Sequence, residues 1–510
     1  MNIFLALLSG FLLLLLNFYL RTRILLGKKS SGCDAFYFLS SVEEFKRQKK
    51  MPYQLPYYFL DIEEQWYPPG FVVFLSLFSK KFIDKYHWLI APLIDCVQLL
   101  ILYTFTYVST GNILMATVSG LIYAVIPNLN TENLNMNVRS FASLINTLLL
   151  LSLIGFWSNG SYLFLFFTFI FGFLLFMTHK MAVQNLTVVI LGFSLLKLNF
   201  SFVIILLIII VLTFILSKGF YLKVLKNHID ILLFWKKNLC NLGNDQYKHS
   251  EIYGKEPVAE TKLHIPGIKG LIKHTRIILG FNPFVIFLVI YPVMAGRTGM
   301  NSLSEMILLW GIFTYLMVFL TSYVPIFRFL GEGWKYIKFA AFPVAFVSAV
   351  SIFENPIKLN FPTLVTGIVC FVSSLWITLK LQKKSQTERT MGIVNDDLLK
   401  TYEFIRNSSF DGIICIPTHL ADATSYYTKK KVLWGGHSLV SLLEGFFPII
   451  RKPIEYYIKR YNISLILIDT SYIDPKVLKI SEEQLIFTAG KYELFFYSQG
   501  SDFWNKTMRE

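Results

Sequence analysis

Residues 32–39 read GCDAFYFL, and residues 61–70 read DIEEQWYPPG. Both follow directly behind a first apolar segment, residues 2–20, in which an unbroken leucine run from Leu12 to Leu16 is closed off by Arg21 and Arg23. That segment carries no basic leader and no small-residue cleavage site, so it reads as an uncleaved signal anchor. Behind it, Ala35, Phe38, Leu39, Val42 and Phe45 recur at helical spacing, with Asp34, Ser41, Glu44 and Gln48 on the other side. This pattern predicts an amphipathic helix lying in the membrane surface. The stretch YPPGFVVFLSLF, 67–78, is short for a full crossing and predicts a second interfacial or half-inserted helix. Whether it lies flat or crosses decides on which side of the membrane every later loop falls.

Working outward, the composition leaves one class. Of 510 residues, 54% are hydrophobic and 48 are Phe, and the mean hydropathy is +0.53; a soluble domain of this size is far less apolar. Nearly uncharged segments at 2–20, 88–108, 111–127, 140–157, 161–178, 182–198, 201–217, 277–295, 302–322, 336–353 and 361–380 each approach the ~20 helical residues that cross a ~30 Å hydrocarbon layer. The expectation is a polytopic α-helical membrane protein of about 11 spans. The net charge of +16 sits in loops between spans and in the tail, which fits anionic or phosphate-bearing lipids rather than nucleic acid. Cys33, Cys96, Cys240, Cys370 and Cys415 form no CxxC pair, so neither a zinc site nor a disulfide framework is indicated.

Two domains are expected: a transmembrane unit, residues 1–381, with a first outer loop at 21–87 and a basic loop at 218–276, then a small soluble α/β domain at 382–510. The tail alternates strand candidates at 412–417, 431–434, 464–469, 484–489 and 492–498 with amphipathic helices around 395–406, 438–447 and 452–461. Gly490-Lys491 marks a hairpin at one edge. If 69–80 does not cross, the first loop, the loops at 128–139, 179–181, 218–276 and 323–335, and the tail share one side. If it crosses, the later loops flip to the cytoplasm, where the basic loop would obey the positive-inside tendency. That rule weakens for a loop of nearly sixty residues, which favours the first arrangement.

Ionisable residues then narrow the chemistry. Asp34 at a helix start is either a dipole partner or a carboxylate poised at the surface to deprotonate a hydroxyl or hold a divalent ion. Asp61, Glu63 and Glu64 form an acidic turn and are secondary candidates. Arg139 opens a span with Glu132 seven residues earlier; it is a snorkelling anchor or an anion ligand. His179 and Lys180 interrupt more than thirty apolar residues, a placement costly enough to imply a role. In FRFLGEGWKYIKFAAFP, 327–343, Arg328, Glu332, Lys335 and Lys338 cluster at a span entrance, a composition suited to a phosphate or, equally, to an interfacial belt with Trp334 and Tyr336. No glycine-rich phosphate loop, HExxH or GxSxG stands in a usable context, so nucleotide-driven chemistry has no support.

These pieces together resemble a family. CDAFYFL behind the first span, WYPPG opening a second short helix, the segment from YAVIPNLN to Arg139, and the late FRFLGEGWKYIKFAAFP are similar to the membrane glycosyltransferases of the GT-C fold, distantly to oligosaccharyltransferase catalytic subunits. The likeness covers about residues 1–380. It implies a GT-C-like fold with interfacial helices in the first outer loop and catalytic loops on the non-cytoplasmic side. It implies Asp34 as the catalytic carboxylate, and Arg139, His179, Lys180, Arg328 and Lys335 as ligands of a donor phosphate. The implied donor is a polyprenyl-phosphate-linked sugar and the acceptor an envelope glycan, lipid or protein, with membrane lipids as further partners. VRSFASLIN lacks the acidic pair that follows the arginine in the oligosaccharyltransferase pattern, and the tail lacks a Trp-Trp-Asp motif. Transfer of one sugar with inversion fits better than transfer of an oligosaccharide to asparagine; no cofactor is certain, and a divalent metal stays open.

Two other classes compete. A lipid-linked glycan flippase or transporter would scatter charges through its spans and show internal symmetry; here charges sit at span ends, Asp95 excepted, and no repeat is present. A non-catalytic envelope assembly protein would keep the fold and use its tail for docking. Sequons at Asn407, Asn462 and Asn505 are compatible with an exterior tail.

Overall fold

The computed structural model of the protein describes residues 2–26, 32–52, 54–58, 67–241, 245–254, 267–295, 301–353, 361–387, 394–435 and 445–497. Asp61, Glu63, Glu64, Trp66 and the sequon at Asn505 lie outside them.

The apolar segments fold into helices, as their composition requires where no water satisfies the backbone. They are α1 (Asn2–Thr22), then α2 (Cys33–Gln48) and α3 (Gly70–Ser76) in the first loop, α4 (Lys80–Thr110), α5 (Ile113–Val125), α6 (Pro127–Glu132), α7 (Val138–Asn159), α8 (Tyr162–Phe176) and α9 (Lys180–Leu196). Next come α10 (Ser201–Leu216), α11 (Phe220–Lys237), α12 (Gly267–Phe281), α13 (Phe287–Ala295), α14 (Ser302–Tyr323), α15 (Ala341–Phe353) and α16 (Phe361–Thr387). Among the described residues, six helices are long and apolar enough to cross a membrane, or up to eight if each of two bent pairs is one span, and three shorter apolar helices accompany them. The pair α10–α11 bends by 117° and the pair running from α12 to Met294 by 104°, so the apolar run at 277–295 is not one straight rod. Pro283, opening a 3-10 turn behind Asn282, sits at the second bend. With its many apolar helices the chain is a multi-pass membrane protein.

Helix α3 has seven residues and rises only ~10 Å, a third of the hydrocarbon thickness. It does not cross. Its first residue explains PPG: the Gly70 N–H donates to the Met177 carbonyl at 2.6 Å, and a Cβ there would lie 2.4 Å from Thr178 Oγ1 and 2.7 Å from that carbonyl. Only glycine lets this helix rest on the turn between α8 and α9.

Helix α2 departs from expectation. Ala35, Phe36, Tyr37, Phe38, Leu39 and Val42 are buried, and so are Ser41 and Glu44 from the face expected to be polar and open. The helix is covered rather than floating on a surface, because the C-terminal domain packs over it.

That domain holds α17 (Asp396–Asn407), β1 (Ile413–Ile416), α18 (Ala421–Thr428), α19 (Ile454–Tyr461), β2 (Leu465–Asp469), β3 (Leu485–Ala489) and β4 (Tyr492–Phe496). The sheet order is β1-β2-β4-β3. β1 and β2 run parallel, from Ile413 opposite Leu465 to Ile416 opposite Ile468, as a crossover through α18 and α19 permits. β3 and β4 form the expected antiparallel hairpin about Gly490-Lys491. The stretch 431–434 contributes only single bridges of Val432, to Ile413 and to Tyr58. Part of the basic loop belongs to this domain too: Tyr247 is fully buried in its core, and Gln246 and Ser250 donate to the Phe446 and Ile450 carbonyls, both at 2.6 Å.

Candidate functional site

The acidic side of the site is built by the two ends of the first loop and by the turn before α7. Gly32 precedes α2 with φ 78° and ψ 173°, a region essentially confined to glycine. A Cβ at Gly32 would lie 1.9 Å from Asn135 Oδ1, so the chain here presses against the α6–α7 turn. Asp34 follows in the first turn of α2, half-buried, where its charge complements the helix dipole. Arg139, one residue into α7, donates through Nε to Glu132 Oε2 at 2.6 Å. The Asn137 side chain fixes that helix start by accepting the Arg139 N–H at 3.0 Å.

Tyr67, next to the PPG turn, joins this group. Its ring meets Tyr37 and Phe38 of α2 at 6.1 and 6.0 Å. Burial raises the pKa of its hydroxyl, the Asp34 charge raises it further, and Arg139 partly offsets both. Tyr67 therefore stays a neutral hydroxyl between an acid and a cation.

The cationic side is a cavity of about 240 Å³ that reaches the same tyrosine. Tyr67, His179, Lys180, Arg328 and Lys335 all line it, together with Glu332, His228 and Trp235. Lys180 lies over the Tyr67 ring at 5.7 Å and bonds Asn227 on α11. Arg328 reaches the Ser322 carbonyl at a long 3.5 Å, and burial pushes its guanidinium below its ordinary range, although arginine stays charged throughout. Lys335 lies 3.4 Å from Glu332, whose other oxygen accepts from Trp334 Nε1 at 2.6 Å. Lys180, Arg328 and Lys335 against the one carboxylate of Glu332 leave the lining net positive and only partly solvated, the environment that favours a phosphate.

The structure thus brings His179, Lys180, Arg328 and Lys335 into one cavity from two separate parts of the chain. Arg139 is not among its lining residues; it stands on the Asp34 side with Glu132. Sequence reasoning did not single out His228, Trp235 or Tyr67. A signal existed for the first two: His228, Ile231, Leu232 and Trp235 stand at i, i+3, i+4 and i+7, one helix face, inside a segment read as a loop. Lys338 is a further buried cation, bonding Asn133 and Ser140, both at 2.8 Å. Among the described residues no group of three or more His, Cys, Asp or Glu side chains could hold a metal ion.

No protein-family model matches the sequence, and no curated protein matches it. Solved structures do. The archaeal oligosaccharyltransferase AglB from Archaeoglobus fulgidus, in complex with an inhibitory peptide and a dolichol-phosphate, superposes with a TM-score of 0.58 at 11% identity, over 91% of this chain and 69% of that one. ArnT from Cupriavidus metallidurans bound to undecaprenyl phosphate superposes with a TM-score of 0.58 at 10% identity, over 97% of this chain and 98% of that one. Its apo form gives a TM-score of 0.58 at 9% identity over 96% and 97%. The fold is the GT-C fold of these glycosyltransferases.

Proposed function

We propose that this protein is a membrane glycosyltransferase that moves one sugar from a polyprenyl-phosphate donor to a hydroxyl of an envelope glycan, lipid or protein. The observation that carries the reading is Tyr67: it touches the helix of Asp34 on one side and lines the cavity of Lys180, Arg328 and Lys335 on the other. An acid and a set of phosphate-binding cations thereby share one wall. The dolichol-phosphate bound to AglB and the undecaprenyl phosphate bound to ArnT support a polyprenyl phosphate as the occupant.

In this reading Asp34 takes the proton of the acceptor hydroxyl as its oxygen attacks the anomeric carbon from the face opposite the phosphate. The bond from that carbon to the phosphate oxygen breaks, and its electron pair leaves with the polyprenyl phosphate. Lys180, Arg328, Lys335 and His179 stabilise the charge that develops there. Tyr67, a neutral hydroxyl, stands against both the Asp34 helix and the Lys180 ammonium. Arg139, held by Glu132, orients the Asp34 side rather than the phosphate. Asp95, deep in the spans, is engaged by Arg21, Asn17 and Tyr123, which removes the main support for a transport path.

We further place the site and the C-terminal domain on the non-cytoplasmic side, as the resemblance implies; their mutual packing keeps them on one side whichever it is. Protease access to the domain in sealed cells tests this, and protection would overturn it. Asp34→Asn tests the chemistry: sugar transfer from polyprenyl-phosphate donors should fall ~10²–10⁴-fold while undecaprenyl phosphate binding persists. Unchanged transfer would sink the assignment.

A further inference from the structure

The C-terminal sheet shows two faces, because successive strand residues point to opposite sides. Ile413, Cys415, Leu465 and Leu467 point into the core shared with α2, α3 and the start of α4. Ile414, Ile416, Ile466 and Ile468 point into a second core that contains Tyr247 and Tyr253 of the basic loop. Each face therefore meets a different part of the membrane unit.

On the first face the attachment falls on the helix of Asp34. The Phe36 ring lies 5.8 and 5.4 Å from those of Tyr426 and Tyr427. Lys429 pairs with Glu43 at 2.6 Å, the Tyr58 hydroxyl donates to Asp422 at 2.8 Å, and the Val432 N–H donates to the Tyr57 carbonyl at 2.9 Å. On the second face the attachment falls on α11, whose His228 and Trp235 line the cavity. Phe447 packs on Trp235 at 5.9 Å and on Trp434 at 4.6 Å, and the Ile454 N–H donates to the Tyr253 hydroxyl at 2.7 Å. Domains joined by small polar contacts move relative to one another, whereas continuous apolar cores hold them still.

We infer that the C-terminal domain is the positioning element of the site: one face of its sheet fixes the acid-bearing α2, and the other fixes α11, the wall of the cation-lined cavity. The inference rests on the glycosyl-transfer reading for its kinetic consequences, and on geometry alone for the two attachments. Residues such as Phe447 and Lys429 touch no reacting atom; they act through α11 and α2.

The two attachments predict different signatures, which a general loss of folding would not produce. Phe447→Ala should raise the donor KM, and weaken undecaprenyl phosphate binding, by up to about tenfold, with kcat little changed; Phe447→Tyr should restore both. The double variant Tyr58→Phe/Lys429→Met should lower kcat by about tenfold through misplacement of Asp34, with donor KM unchanged; Lys429→Arg in place of Lys429→Met should recover much of it. Hydrogen exchange in the full-length protein should quicken in 220–237 for the first variant and in 33–48 for the second. Equal losses of kcat and donor binding in both variants, or exchange that rises alike in both segments or in neither, would overturn the inference. Should Asp34→Asn transfer sugar as well as the unaltered chain, the glycosyl-transfer reading fails instead, and the exchange pattern still decides the two attachments.

Discussion

Two sets of buried charges in this protein look alike in the sequence and differ in kind. In the spans, Arg21 donates to Asp95 at 2.8 Å and to the Ala124 carbonyl at 2.7 Å, while Asp95 also accepts from Tyr123 at 2.9 Å and Asn17 at 3.2 Å. Both side chains are sealed, at 0% and 1% exposure, and the network ties α1, α4 and α5 together. At the cavity, Lys180 meets an amide and an aromatic ring, Arg328 a carbonyl at a long 3.5 Å, and Lys335 the Glu332 carboxylate at 3.4 Å. A sealed network that joins three helices thus differs from basic side chains that face a cavity.

The comparison is broken most severely at Asp95. Asp95→Ala leaves the Arg21 guanidinium buried without its carboxylate, a change that costs about 3–5 kcal/mol; thermal unfolding in detergent should show it as a large fall in Tm. Arg328→Ala should leave Tm nearly unchanged and weaken undecaprenyl phosphate binding, and the opposite pattern would reverse the two roles. A smaller effect is expected at Gly32, where Ala imposes strain of order 1–3 kcal/mol and pushes against Asn135. Sugar transfer should drop with little change in donor binding, because only the Asp34 side is disturbed. Gly70→Ala should do the converse: its Cβ meets Thr178 and the Met177 carbonyl, and an overpacking cost of about 1–3 kcal/mol falls on the turn that carries His179 and Lys180. Donor binding is the measurement.

The smallest effect concerns pH. Burial pushes the Glu43 carboxyl up, but Lys429 and Lys80 outweigh it and hold the group below its usual range. A depressed carboxyl contributes stability at neutral pH and loses it as the pH falls through the carboxylate range. Acidification should therefore loosen the domain from α2, seen as faster exchange in 33–48, and Glu43→Gln should flatten that dependence. The pair is half-exposed and screened by salt, so the effect stays small.

How much of this was legible beforehand differs by element. The apolar runs predicted helices and the alternating tail predicted strands, because both patterns act over a few residues. Arg21 stood in the sequence only as a charge closing off the first apolar segment, yet it is the buried partner of Asp95 across 74 residues. The loop 218–276 read as partly ordered, yet it yields α11 and a segment sealed in the tail domain. Asp34 was legible as a carboxylate at a helix start, His179 and Lys180 as ionisable residues at a costly position, and Arg328 and Lys335 as part of a cluster at a span entrance. Their division into an acidic side and a cationic cavity was not, nor the separation of Arg139 from the other cations.

The sequence by itself determined that this chain lives in a membrane, that its first loop carries a carboxylate at a helix start, and that a small α/β unit follows. Those facts rest on residue lengths, local spacing and the cost of placing charge in hydrocarbon. Only the tertiary structure decided that α2 is covered rather than afloat, that Lys180, Arg328 and Lys335 from two distant segments share one cavity, and that Tyr67 borders both that cavity and the Asp34 helix. Each depends on packing between residues far apart in the chain, where shape and burial, not periodicity, select the partner.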